Sequence, residues 1–161
     1  MNKPAKIALM VFCCLVVGFL SGLLTKTAID TWYVTLEKPF FTPPGWVFAP
    51  VWTVLYLLMG TAAGIIWDEI NTNKQATKKA LLFFFVQLFF NVLWVYLFFY
   101  LNNLLLASIE IFLLLLLIYE TYYLFKTQNK TAGKLLLPYL FWVGFASILT
   151  VSIYILSLKN L

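Results

Sequence analysis

The 161-residue sequence contains no histidine and no arginine, and only two cysteines. Without imidazole the chain lacks the usual general acid-base group, the commonest zinc ligand and the ordinary axial ligand of haem iron. Cys13 and Cys14 are adjacent inside an apolar run. With no other cysteine to pair with, they read as packing residues rather than as a disulfide or a metal site. Charge is scarce too, at 11% of residues against about 25% in soluble domains. All eleven basic residues are lysines, and the formal net charge is +5. The lysines are scattered among the ends of apolar runs, which fits membrane orientation and speaks against nucleic acid as a partner. No metal site, no cofactor motif and no nucleophile-base pair is present, so ordinary hydrolytic or metal-dependent chemistry has nothing to work with.

What the chain has is apolar surface: 63% of its residues are aliphatic, aromatic or cysteine. A soluble domain of this size leaves roughly a third of its unfolded-chain surface exposed. Its solvent is therefore lipid. Runs of about 20 residues match a hydrocarbon core of roughly 30 Å, and five of them predict an all-α membrane protein, a five-helix bundle forming one domain over residues 1–161. The spans are expected at about 7–24, 46–67, 80–100, 104–125 and 135–158. The first resembles a signal peptide only superficially; it is longer than a signal core and passes into "TKTAID", so an uncleaved helix is expected. Lys3, Lys6, Lys74, Lys78, Lys79, Lys126, Lys130 and Lys134 fall on one side, and Lys26, Lys38 and Lys159 on the other. The lysine bias places the N-terminus in the cytoplasm.

The single long connection, residues 25–45, runs into the second span through "EKPFFTPPGWVFAPVWTVLY" (37–56). Residues 31–45 hold too many prolines to be helical throughout and too many aromatics to float free, so they are expected to lie as a lid over a cavity at one mouth of the bundle. Thr42 is expected to cap the second helix with Pro43 at its first position, and Pro50 to open or bend that helix. Trp52 and Tyr56, four apart, share a face beneath the lid. Gly60 and Gly64 form a G-x-x-x-G spacing that admits a close neighbouring helix and permits a dimer.

In the third span Gln87, Asn91 and Trp94 share a face that does not suit lipid; interhelical hydrogen bonding and a polar ligand contact both account for the amides. Pro138, Trp142 and Ala146 recur every four residues in the fifth span, as a relief for a flat body or as simple core packing. Glu110 lies inside the fourth span, where it is expected to face the interior and either meet an amide or lysine or stay protonated. Val151, Tyr154 and Lys159 meet a loose cholesterol-contact pattern that many membrane helices satisfy by chance.

The stretches "WYVTLEKPFFTPPGWVFAPVWTVLYLLMG" (32–60), "QLFFNVLWVYLFF" (87–99) and "PYLFWVGFA" (138–146) resemble the translocator protein family, also called tryptophan-rich sensory proteins or peripheral-type benzodiazepine receptors. The resemblance implies a multi-pass protein of the bacterial plasma membrane, commonly a homodimer, whose loop between the first two helices closes a ligand cavity. It implies porphyrins and related tetrapyrroles as ligands, with no cofactor, alongside synthetic benzodiazepine-type compounds. The implied pocket draws on Trp32, Tyr33 and Pro43 of the lid, Trp52 and Tyr56 of the second helix, Gln87 and Asn91 of the third, and Trp142 and Ala146 of the fifth. Trp52 and Trp142 match tryptophans implicated in light-dependent porphyrin breakdown, the one enzymatic activity the resemblance suggests. Sterol binding is not expected, because the arginine neighbours of the animal pattern are missing. Secondary transport of tetrapyrroles is a third reading; against it stand the absence of repeated halves and a single well-buried carboxyl. A porphyrin is a flat apolar disc with acidic groups on one edge, for which aromatic faces supply stacking and Lys38 a counter-ion at the rim.

Overall fold

The computed structural model describes residues 1–159. Five long helices account for most of them: α1 (Lys3–Asp30), α2 (Gly45–Asp68), α3 (Lys74–Val95), α4 (Leu104–Gln128) and α5 (Lys130–Lys159). All five are long and apolar enough to cross a membrane, and the protein is a multi-pass membrane protein. Four of the five helices start where an asparagine side chain supplies an acceptor, α5 at Asn129 among them. The side chains of Asn2, Asn73 and Asn103 accept from the backbone N–H groups of Ala5, Ala76 and Leu106 at 3.0–3.1 Å, as capping requires. Pro4, in the first turn of α1, withholds a donor that had no partner there.

Three local expectations are corrected. Helix α1 runs from Lys3 to Asp30 rather than from 7 to 24; at 28 residues it is about 42 Å long, more than a hydrocarbon core of roughly 30 Å requires. Helix α2 begins at Gly45 with Pro44 at its N-cap, not with a Thr42 cap and Pro43 inside. Pro43 precedes another proline, and that neighbour excludes it from helical backbone; the Thr42 hydroxyl instead donates to the Pro39 carbonyl at 2.7 Å. The opening expected at Pro50 does not occur, and helix α2 continues through it. The donor that Pro50 lacks would have served the carbonyl of Trp46, whose residue is 75% exposed near the helix start, and one missing bond near a helix end does not break the ladder.

The third span ends differently from the other four. Residues Tyr96–Tyr100 wind into a π-helical turn, which carries the backbone into the tight Leu101–Asn103 connection, where Asn102 takes a left-handed conformation at φ 53°. Asparagine tolerates that region better than most residues. The turn places Phe98 and Phe99 beneath the loop that follows α1, within ring-contact range of Tyr33.

Helix α2 is central and packs against each of the other four. Its contact with α1 is tightest at the end away from the lid. A Cβ added at Gly60 would fall on the backbone of Met10 and Val11, and one at Gly64 on Ile7. The G-x-x-x-G seam is thus filled by the chain's own first helix. At the same end Lys6 Nζ donates to Asp68 Oδ1 at 2.9 Å, and the Asn129 amide reaches Glu69 Oε1 at 3.3 Å. Helix α4 packs on α3 and α5 and brings Glu110 inward at 5% exposure. No amide or lysine among the described residues meets its carboxyl oxygens.

Gly64→Leu is expected to force α1 off α2 and to destabilise the bundle by about 1–3 kcal/mol, the usual cost of overpacking. Reversible unfolding in mixed micelles measures this. A midpoint equal to that of the unaltered protein would mean that α1 does not lie on this seam.

Candidate functional site

At the lid end the bundle opens into a cavity of about 420 Å³. Its walls come from α1, α2, α3 and α5, and no described residue of α4 lines it. Small residues create the space: Gly18 and Gly22 on α1, Ala49 on α2 and Ala146 on α5 stand among Trp52, Trp94, Phe98 and Trp142.

Tyr56 forms part of the floor, and its hydroxyl begins a buried chain of hydrogen bonds. Tyr56 donates to Asn91 Oδ1 at 2.7 Å, Asn91 Nδ2 donates to the Tyr139 hydroxyl at 3.1 Å, and Tyr139 donates to Gln87 Oε1 at 2.9 Å. Three helices are joined at one level. Interhelical hydrogen bonds in membranes contribute only about 0.6 kcal/mol each on average, so the chain adds roughly 2 kcal/mol. Its larger effect is positional, because buried polar atoms tolerate few other arrangements.

Above this floor the walls are aromatic. The Trp52 ring lies 5.7 Å from Tyr56 and meets Tyr139 edge-on at 6.2 Å. Trp142 meets Phe48 edge-on at 6.0 Å and Phe145 at 5.7 Å. Trp94 stacks on Phe98 at 5.1 Å, and its indole N–H has no partner among the described residues.

The lid is held by rings and by one cation. A short 3-10 turn, Tyr33–Thr35, follows α1. Trp32 packs edge-on against Phe98 at 5.4 Å, Tyr33 lies 6.0 Å from Phe99, and Phe41 rests on Phe145 at 6.3 Å. Lys38 Nζ donates to the carbonyls of Tyr33 and Leu36 at 2.7 and 2.8 Å and sits 4.8 Å above the Tyr33 ring. It ties the lid to itself, a role distinct from that of a ligand counter-ion at the rim. Burial pushes the Tyr33 phenol up from its ordinary value, so the ring that closes the cavity stays neutral in the neutral range.

Of the nine residues singled out from sequence, Tyr33, Trp52, Tyr56, Trp142 and Ala146 line the cavity. The other four do not. Gln87 and Asn91 are fully buried in the hydrogen-bonded chain, reaching the cavity only through Tyr56. Trp32 packs behind the wall on Phe98, and Pro43 is a half-buried part of the lid. Tyr139 was missed, although it joins the two amides to Tyr56. The face expected for α5 was set by Pro138, Trp142 and Ala146; the fully buried face, one residue on, carries Tyr139, Val143, Ser147 and Thr150. Hydroxyl residues recurring at that spacing in an apolar helix were the available signal.

Comparison with known proteins agrees with this architecture. The model of the TspO/MBR family matches residues 10–156. The chain is 40% identical over 152 residues to a tryptophan-rich protein TspO of Archaeoglobus fulgidus, covering 94% of this chain and 97% of that one. It is 38% identical over 154 residues to a protein of the same name from Chlorobaculum tepidum, covering 95% and 97%. A translocator protein of Bos taurus is 33% identical over 132 residues, covering 82% of this chain and 78% of its own.

Tyr139→Phe removes the hydroxyl that accepts from Asn91 and donates to Gln87. It is expected to destabilise the fold by about 1–2 kcal/mol, since two buried partners lose a bond. Tyr123→Phe, at an exposed position, is the control and is expected to change stability by less than about 0.5 kcal/mol. Equal effects in an unfolding titration would contradict the hub assigned to Tyr139.

Proposed function

The chain belongs to the TspO/MBR family, and from that membership and the cavity's chemistry we propose that it is a membrane receptor or carrier for porphyrins and similar flat apolar molecules. The observation that carries the reading is the aromatic enclosure. Trp52 and Trp142 flank a space whose floor includes a phenol, and the lid closes over it. Its volume, about 420 Å³, falls within the roughly 300–1,000 Å³ range of small-molecule sites. Faces of indole and phenyl favour a flat partner, each aromatic pair adding about 0.5–1.5 kcal/mol beyond area burial.

The Tyr56 hydroxyl is committed to the buried chain, and the polar atoms of the lining without a partner among the described residues, Ser21 Oγ and Trp94 Nε1, are neutral, so the deep part of the site selects shape rather than charge. Acidic substituents of a porphyrin would be placed toward the lid, where backbone, Thr25 and water are within reach of the rim. The lysine distribution supports an orientation with the N-terminus in the cytoplasm and the lid outside. In a bacterial plasma membrane that arrangement exposes the lid to the external face. Association into a homodimer belongs to the same proposal; since α1 fills the Gly60 and Gly64 seam, a second copy would use another face.

Titration of the reconstituted protein with protoporphyrin is expected to quench tryptophan fluorescence at micromolar ligand and to shift the porphyrin absorbance. Trp52→Phe combined with Trp142→Phe is expected to weaken binding about tenfold, equivalent to roughly 0.7 kcal/mol for each indole. Folded protein that leaves the porphyrin spectrum unchanged would contradict the proposal.

A further inference from the structure

The α1–α2 pair changes character along its length. On α2 the residues Ala49, Thr53, Gly60 and Gly64 recur at three- to four-residue multiples on one face. At Gly60 and Gly64 that face is pressed against the α1 backbone. Two turns nearer the lid, Ala49 and Thr53 are exposed although they line the cavity. The antiparallel partner behaves in the same way. Ile7 and Val11 are in contact with α2, Gly18 abuts the Tyr56 ring, and a Cβ added at Gly22 would meet nothing within 4 Å. Phe19 lines the same cavity and is 67% exposed. One set of residues faces both the cavity and the outside of the bundle, so the two helices part at this level.

We infer that the gap between α1 and α2, bounded by Phe19 and Gly22 on one side and Ala49 and Thr53 on the other, is a lateral passage through which a flat apolar ligand enters the cavity edge-on from the lipid leaflet on the lid side. This rests on the ligand-binding reading above. The lid is held onto the bundle by ring contacts of Trp32, Tyr33 and Phe41 and tied internally by the bonds of Lys38, so entry from the water side would have to break these. Outside the gap lie acyl chains, in which a porphyrin-like molecule is already concentrated. Among the described residues no ion pair or side-chain hydrogen bond crosses the gap, and the Lys6–Asp68 bond lies at the opposite end. Phe19 is the movable element, a ring at the edge whose rotation changes the width of the slot.

The test compares protoporphyrin association and dissociation rates in phosphatidylcholine nanodiscs for three proteins. One is unaltered. The second carries Gly22→Phe, which fills the slot where space is open, with Ala49→Leu on the facing wall as the substitute should that protein not fold. The third has its lid locked by a short bis-maleimide between cysteines introduced as Phe41→Cys and Phe145→Cys, in a Cys13→Ala, Cys14→Ala background. Filling the slot is expected to slow both association and dissociation by about tenfold, because an obstructed route retards passage in both directions; loss of cavity space alone would instead speed dissociation, and that result would count against the passage. Locking is expected to leave both rates within about twofold of those of the same cysteine variant before cross-linking. Normal rates with the slot filled, or exchange abolished by locking the lid, would overturn the passage and leave the binding reading intact. Failure of the unaltered protein to bind protoporphyrin would remove both.

Discussion

The architecture depends on a buried set of hydrogen bonds that meets at the Tyr139 hydroxyl. In lipid, helices gain little from hydrophobic association, because the tails around them are as apolar as leucine. Close contact and a few polar bonds must therefore set where each helix sits. Here the chain from Tyr56 through Asn91 and Tyr139 to Gln87 fixes α2, α3 and α5 at one height. On one side of that height glycine lets α1 lie directly on α2. On the other side the same helices diverge, and small residues facing large rings leave a cavity.

The second constraint is the need to satisfy backbone groups wherever the chain is not helical. The lid meets it locally. Lys38 occupies two carbonyls, Thr42 a third, and a single 3-10 turn places Tyr33 over the cavity. The π turn at Tyr96–Tyr100 gives the lid a surface to rest on, by bringing Phe98 and Phe99 to the mouth. Such turns recur at functional sites. Lid and floor are thus built from different chemistry: rings and one cation above, phenols and amides below.

Much of this was legible in the sequence because the strongest signals are one-dimensional. Five apolar runs, the lysine asymmetry and the proline-aromatic loop need only composition and local pattern. Trp52 with Tyr56, and Trp142 with Ala146, share faces by spacing alone and do line the cavity. What was not legible depends on which helices meet at which height. Gln87 and Asn91 could equally have faced a ligand or one another's partners; only the position of Tyr139 on α5 decides that they bond to phenols. The start of α2 falls at Gly45 and not after Thr42, because Pro44 keeps Pro43 out of helical backbone and so overrides the local cap motif. The π turn has no periodic signature in "YLFFY", where nearly every position is apolar.

On the proposed reading, a cavity walled by indoles beneath a tied lid takes a flat apolar ligand, and the parting of α1 and α2 is its route from the lipid. The cavity floor is tied by hydrogen bonds across three helices, whereas among the described residues none holds the α1 side at this level, and the proposal assigns recognition to the first and entry to the second. The most direct measurement is a structure of the protein in lipid with protoporphyrin bound. The account predicts the disc between Trp52 and Trp142 above an intact Tyr56–Asn91–Tyr139 chain. A disc lying against the outer face of α3, beside the stacked rings of Tyr96 and Tyr100, with the cavity collapsed beneath the lid, would contradict it.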